Sequence, residues 1–285
     1  MADPTKHVQV VVVGGGFAGT YAAKELARHG VEVALVDTNG YQTFQPMLYQ
    51  AATGITAISD IEYPLTDIPK VEAIKDTVTS VDLANSTVTL AGGATLEADY
   101  IVVATGATVN FFGTTGAAEF AFPLYTSDDA SRIGQRGKEL VESGKNFAVA
   151  VIGAGATGVE ISGAIIDTLY DLYPRTFPDF KRESVTVHII DRGAAPLAHM
   201  SESSQKSATE VLTKAEVNLH LGRGVTEVKS DSVTLDDGTV LAADVTIWAG
   251  GLTVHLPSIE PAPELDSHGR VIIEPDLRIA GKNNA

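Results

Sequence analysis

The 285-residue sequence predicts an α/β fold made of two copies of one domain plan, each with a parallel sheet and a small antiparallel β-meander. Three observations predict it. An apolar strand runs into a glycine turn and a helix twice, as VVVVGGGFAGTY at residues 10–21 and as VAVIGAGATGVE at residues 149–160. Each time, the next strand ends in an acid, Asp37 or Asp191. Behind each of these units the same short strands recur in the same order: VTSV, VTL, GATLEAD, IVVATG, then VTEV, VTL, GTVLAAD, TIWAGG.

The elements follow in chain order. Residues 8–13 are β-branched and bounded by glycine, as a fully buried parallel strand requires. Residues 17–29 read as a helix with Ala22, Ala23, Leu26 and Ala27 on one face and Gly30 at its C-terminal stop. A strand over 31–36 completes a βαβ unit. Residues 39–69 read as a long connection with short helical pieces, because Phe44, Leu48, Tyr49, Ile55, Ile58 and Ile61 need burial. A meander then leads into a buried strand over 100–104, and 106–123 reads as a connection. The second copy has strands over 147–152 and 185–190, with a long helix between them to about residue 172. YPRTFPDF reads as a proline-broken loop, and a helix over about 203–215 precedes the second meander. Laid side by side, Val78 meets Val225, Val81 meets Val228, Val88 meets Val233, Gly93 meets Gly238 and Asp99 meets Asp244; Ala104, Thr105 and Gly106 meet Ala249, Gly250 and Gly251. Order and context together make this an internal repeat of a Rossmann-like plan.

The first turn, Gly14-Gly15-Gly16-Phe17-Ala18-Gly19, fits G-x-G-x-x-G. In that pattern the first glycine permits the tight turn, the second lets the backbone approach a pyrophosphate, and the third lets helix and strand pack closely. The helix N-terminus adds N–H groups and about half a positive charge. Asp37 lies 18 residues past Gly19, where a carboxylate can accept from both ribose hydroxyls. The second turn has Gly153, Gly155, Thr157 and Gly158, with Asp191 at the next strand end. Asp191 favours a free 2′-hydroxyl, hence NAD over NADP, whereas Arg192 beside it suits a 2′-phosphate. Glu160 has two readings: a carboxylate placed for the helix dipole, or a catalytic group facing the nicotinamide carboxamide. Seven histidines show no metal-ligand spacing, so no metal site is expected, and Trp248 reads as core or pocket wall.

Composition narrows the function. With 36 acidic and 20 basic residues the formal net charge is −16, which repels nucleic-acid phosphates and offers anionic membranes no basic segment. The absence of cysteine excludes disulfides, thiolate metal sites, iron–sulfur clusters and redox-active cysteine pairs. MADPTKHVQ lacks the apolar core of a secretory signal and no run of 18 apolar residues occurs, so a cytoplasmic location without a transmembrane segment is expected.

The series VVVVGGGFAGTYAAKEL, FQPMLYQAATG, YIVVATGATVNFFG, VIGAGATGVEISGA and TLDDGTVLAADVTIWAGG resembles the flavoproteins with two dinucleotide-binding domains, and within them the type II NADH:quinone oxidoreductases. The resemblance runs from about residue 7 to residue 280. It implies FAD at the first turn and NADH at the second, with hydride transfer to the flavin and electrons passed on to a quinone or other acceptor. Gly14, Gly15, Gly16, Phe17, Ala18, Gly19 and Asp37 would hold FAD, with Val78 at the adenine. Gln45, Pro46, Ala104, Thr105 and Gly106 would border the flavin. Gly153, Gly155, Thr157, Gly158, Asp191, Gly250 and Gly251 would line the NADH path, with Glu160 at the nicotinamide. The implied domains are 1–112 with 250–285 for FAD and 113–249 for NADH. In the family a Gly-Asp strand, the quinone pocket and membrane-contacting helices follow the segment that matches PDLRIAGKNNA, so the sequence reads either as a fragment of a longer protein or as a shortened relative, and peripheral membrane contact would belong to that further part. A homodimer is compatible with the resemblance. The alternatives are a nucleotide-binding module without turnover and a soluble NAD(P)H-dependent flavin reductase with a protein acceptor.

Overall fold

Strand Thr5–Val13 is apolar from Val10 through Val13 because both of its faces are covered. The computed structural model describes residues 5–285; residues 1–4, part of the stretch read against a secretory signal, lie outside the described residues. The chain divides into two units. The first comprises Met1–Thr43, Glu62–Thr108 and Leu252–Ala285, and the second Phe44–Ile61 and Val109–Gly251.

In the first unit seven strands make one sheet in the order Ser258–Glu260, Val78–Asp82, Thr87–Leu90, Thr95–Val103, Thr5–Val13, Val33–Asp37, Val71–Lys75. Val10 and Val12 pack with Ala23, Leu35 and Leu65 on one face; Val11 and Val13 pack with Val36, Val81 and Ile101 on the other. Helix Phe17–Arg28 stops at Gly30, whose φ of +82° is a conformation that a side chain rarely adopts. The strand expected over 100–104 is the end of one long strand, Thr95–Val103, and is not buried throughout: Ile101 is buried while Tyr100 is exposed, and the first meander is part of the main sheet.

In the second unit five parallel strands run in the order Ala121–Pro123, Val245–Trp248, Phe147–Ile152, Val185–Asp191, Asn218–Leu221. One face carries Val149, Val151, Val187 and Ile189 against helix residues Ile133, Ile161 and Leu212. The other carries Ala150, Ile152, Ile190 and Trp248 against Val225, Val228, Val233 and Leu235 of a separate three-stranded meander. Residues 44–61, read from sequence as part of the first domain, belong to this unit: Leu48, Ala51, Ala52 and Ile61 are buried in its helix-side core. After Ile61 the chain returns to the first unit, and the second resumes at Val109 and runs to Gly251.

The internal repeat holds at the level of strand register. Val81 pairs with Val88 in the first meander, as Val228 pairs with Val233 in the second, and Val88–Leu96 repeats as Val233–Leu241. Both first strands shift register at the same place, between Val78 and Ser80 and between Val225 and Glu227. The extra threonine fills the shift in both: Thr79 and Thr226 each donate to a partner carbonyl at 3.1 Å.

Two elements depart from the expectation. Helix Ser127–Glu142 occupies a stretch that carried no assigned element; Thr126 and Asp129 close a capping box at its start. The YPRTFPDF segment is a loop only from Phe177. Helix Ala156–Asp167 continues through a π-turn, Thr168–Leu172, into Tyr173–Thr176. Pro174 lies in the first turn of that last α segment, just past the change of helix type.

Candidate functional site

Each glycine turn sits at the C-terminal end of a strand flanked by parallel neighbours, where Thr5–Val13 or Phe147–Ile152 meets its helix. The two turns match atom for atom. Gly14 and Gly153 both have φ of +104°, and their N–H groups donate to Val36 O at 2.8 Å and Ile190 O at 2.7 Å. A Cβ on Gly14 would lie 2.4 Å from Ala104 O, and one on Gly153 2.6 Å from Ala249 O. A Cβ on Gly19 or Gly158 would stand 1.8 Å from the carbonyl oxygen of Gly14 or Gly153. These four glycines are therefore required by the chain itself.

Gly16 and Gly155 are not. Their φ values of −74° and −70° suit any residue, and a Cβ on either meets nothing within 4 Å. Each is the N-cap of its helix and supplies no capping side chain. The bare backbone at these positions leaves open space at the helix N-terminus, where N–H donors suit an anionic group. A pyrophosphate fits this cradle.

Asp37 and Asp191 do more than end a strand. Asp37 Oδ2 accepts the Gly15 N–H at 2.8 Å and Oδ1 the Asn39 N–H at 2.7 Å. Asp191 Oδ2 accepts the Ala154 N–H at 2.7 Å and Oδ1 the Gly193 N–H at 2.5 Å. Each carboxylate thus braces its own glycine turn while keeping lone pairs for a sugar hydroxyl.

In the first unit, Gly14–Gly19, Asp37 and Ala104–Gly106 come together. Ala18, Ala104, Thr105 and Gly106 line a groove of about 670 Å³ walled on its other side by Leu256 and Val271. The Thr105 hydroxyl donates to His255 O. Val78 begins the strand next to Thr77, whose hydroxyl pairs with that of Thr38 at 3.2 Å, beside Asp37. Gln45 and Pro46 fold with the second unit, where Gln45 Nε2 donates to Tyr125 O at 3.2 Å.

In the second unit, Gly153, Asp191 and Gly250 line a cavity of about 270 Å³. Trp248 forms part of its wall while only 4% exposed, and its Nε1 donates to Asn110 O at 2.9 Å. The indole is both core and pocket wall. Gly251, with φ of +155°, packs against the Phe112 ring. Gly155, Thr157 and Gly158 start the helix that carries Glu160, whose carboxyl is pushed above its ordinary range by desolvation. Arg192 and Arg223 also line this cavity. The sequence does not mark Arg223, because what brings it there is the register of strand Asn218–Leu221 beside Asp191. The repeat alignment held the signal: Arg223 stands two residues before Val225, as Asp76 stands before Val78.

Among the described residues no helix is long and apolar enough to cross a membrane.

The family model for pyridine nucleotide-disulphide oxidoreductases matches residues 8–283. The chain is 32% identical over 308 aligned positions to the type II NADH:quinone oxidoreductase Ndh of Mycobacterium tuberculosis, covering 99% of this chain and 66% of that protein. It is 26% identical to the alternative NAD(P)H-ubiquinone oxidoreductase C1 of Arabidopsis thaliana, over 97% of this chain and 60% of that one. The chain thus spans less than two thirds of the length of these relatives. Among solved structures, NDH2 from Plasmodium falciparum in complex with NADH shares the fold with a TM-score of 0.82 at 20% identity, over 87% of this chain and 56% of that one. The sulfide:quinone oxidoreductase of Aquifex aeolicus gives a TM-score of 0.72 at 23% identity, over 96% and 63%. With the family model laid across both turns and both strand-end acids, the chain belongs to the pyridine nucleotide-disulphide oxidoreductase family and resembles its type II NADH:quinone oxidoreductases.

Proposed function

We propose that the first turn holds FAD, the second holds NADH, and the protein is an NADH dehydrogenase that delivers electrons to a quinone. The observation that carries this reading is the pair Gly16 and Gly155, each bare of side chain with no need inside the fold. Two such cradles in one chain call for two dinucleotides. The relatives named as NADH:quinone oxidoreductases support the choice of ligands and acceptor. Bound together, the two cofactors supply hydride transfer from nicotinamide to flavin and then a two-electron delivery to the quinone.

The chain's own residues bind and orient. Asp37 and Asp191 hold the turns and receive ribose hydroxyls; the two helix N-termini receive the pyrophosphates. Ala104, Thr105 and Gly106 wall the first site, and Gly153 and Gly250 wall the second. Glu160, on the helix of the second turn, holds the nicotinamide carboxamide. No protein nucleophile is needed, which suits a chain without cysteine.

The test is anaerobic spectroscopy of the purified chain. It is expected to be yellow, to be bleached by NADH, and to regain its colour with a water-soluble quinone. A colourless chain that binds NADH and no flavin contradicts the reading and leaves a nucleotide-binding module.

A further inference from the structure

The chain's single tryptophan stands where the first copy has a valine: Val103 precedes Ala104-Thr105-Gly106, and Trp248 precedes Ala249-Gly250-Gly251. The surroundings of the larger ring hold it in one orientation. The indole is buried and tilts against the Phe111 ring, with centroids 5.4 Å apart. A buried indole N–H needs a partner, and Nε1–H donates to Asn110 O at 2.9 Å. The Asn110 N–H in turn donates to Gly251 O at 3.1 Å, and Asn110 Oδ1 accepts the Phe112 N–H at 2.7 Å. Residues 110–112 and 248–251 are thus laced together, and the indole supplies one of the cross-links.

The laced segment contains Ala249 and Gly250. The Ala249 N–H donates to Ile152 O at 2.8 Å, and the Ala249 carbonyl is the group that bars a side chain from Gly153. A Cβ on Gly250 would lie 3.3 Å from indole Cε2 and Nε1 and 3.5 Å from Cζ2; its three nearest atoms would all belong to the indole. Trp248, Gly250 and Gly153 line the same cavity. The position of the Gly250 backbone in that wall therefore follows the position of the indole. The first copy, with Val103 in that place, ties its equivalent loop differently, by a bond from the Thr105 hydroxyl to His255 O.

Building on the assignment of the nicotinamide nucleotide to the second turn, we propose that Trp248 is a positioning residue of that site. Its indole, aimed by the bond to Asn110 O, fixes the Ala249–Gly250 backbone against which the dinucleotide lies. The effect of Trp248 on binding passes through Gly250.

Two substitutions separate this role from plain packing. Trp248→Phe lacks the donor and the outer ring but keeps an aromatic side chain in the core. Gly250→Ala places a methyl against the indole. Titration calorimetry on the purified chain is expected to show each variant binding NADH about tenfold more weakly than the wild type, with flavin content unchanged. The double variant is expected to bind no more than about threefold more weakly than either single one, because both act on one contact. Losses that multiply to about a hundredfold overturn the route through Gly250, and Trp248→Phe binding within about twofold of the wild type overturns the role itself. Either result leaves the nicotinamide assignment standing. Failure of the wild type to bind NADH overturns the role and the assignment together. A measurement on the unsubstituted sequence covers the case in which Trp248→Phe does not fold. Labelled with 5-fluorotryptophan, the protein gives one fluorine resonance, because it has one tryptophan. Saturating NADH is expected to shift that resonance, and an unmoved resonance with NADH bound overturns the proposal.

Discussion

Gly155 and Gly158 stand three residues apart and require glycine for different reasons. A Cβ at 158 collides with Gly153 O, whereas a Cβ at 155 projects into open space. Gly158→Ala is therefore expected to cost about 1–3 kcal/mol in urea unfolding. Gly155→Ala is expected to stay within about 0.5 kcal/mol while NADH affinity falls by about tenfold. Asp191→Ala removes both the ribose acceptor and the brace on Ala154, so NADH binding weakens and stability drops by about 1–3 kcal/mol, with flavin content unchanged. Flavin loss from Asp191→Ala would instead exchange the assignments of the two turns. At this scale the glycine motifs and the strand-end acids were legible, because spacing alone places them at a strand–helix junction. The bracing bonds of Asp37 and Asp191 were not, and neither was Arg223, because both depend on which strand lies beside which.

The helices and strands show what local pattern can and cannot announce. Helix Ser127–Glu142 begins with TSDD, a capping box in plain sight, yet its polar composition hides an apolar stripe reduced to Ala130, Ile133 and Val141. Thr126→Ala is expected to cost about 1 kcal/mol, measured as a shift in the unfolding midpoint. On the meander side of the second sheet, His188 Nδ1 and His220 Nε2 lie 3.1 Å apart. Burial, and then the neighbouring His220, holds His188 below its ordinary pKa of 6.5; burial lowers His220 as well, opposed in part by Asp237. The unfolded chain therefore takes up protons first as pH falls. Stability is complete above about pH 6.5 and declines below it. Thermal unfolding between pH 5 and 8 is expected to show a midpoint that rises with pH, and His188→Gln to flatten that rise. A wild-type midpoint independent of pH would contradict the burial of this pair.

At the scale of the molecule, two copies of one plan answer to two ligands. The order of strands carried that conclusion in the sequence, and the shared bulge at Thr79 and Thr226 repeats it in the fold. The domain boundary was less legible. The short helical pieces at 44–61 are apolar in either assignment, and only the burial of Leu48, Ala51 and Ala52 beside Ile133 and Ile161 shows which core they complete. In the proposed function the first cradle holds flavin and the second NADH. Its most direct test is to count bound flavin by absorbance and bound NADH by equilibrium dialysis in parallel preparations of the wild type, Gly16→Ala and Gly155→Ala. Gly16→Ala is predicted to lose flavin and keep NADH binding, and Gly155→Ala to lose NADH binding and keep flavin. Loss of both ligands from either substitution, or the opposite pairing, would contradict it.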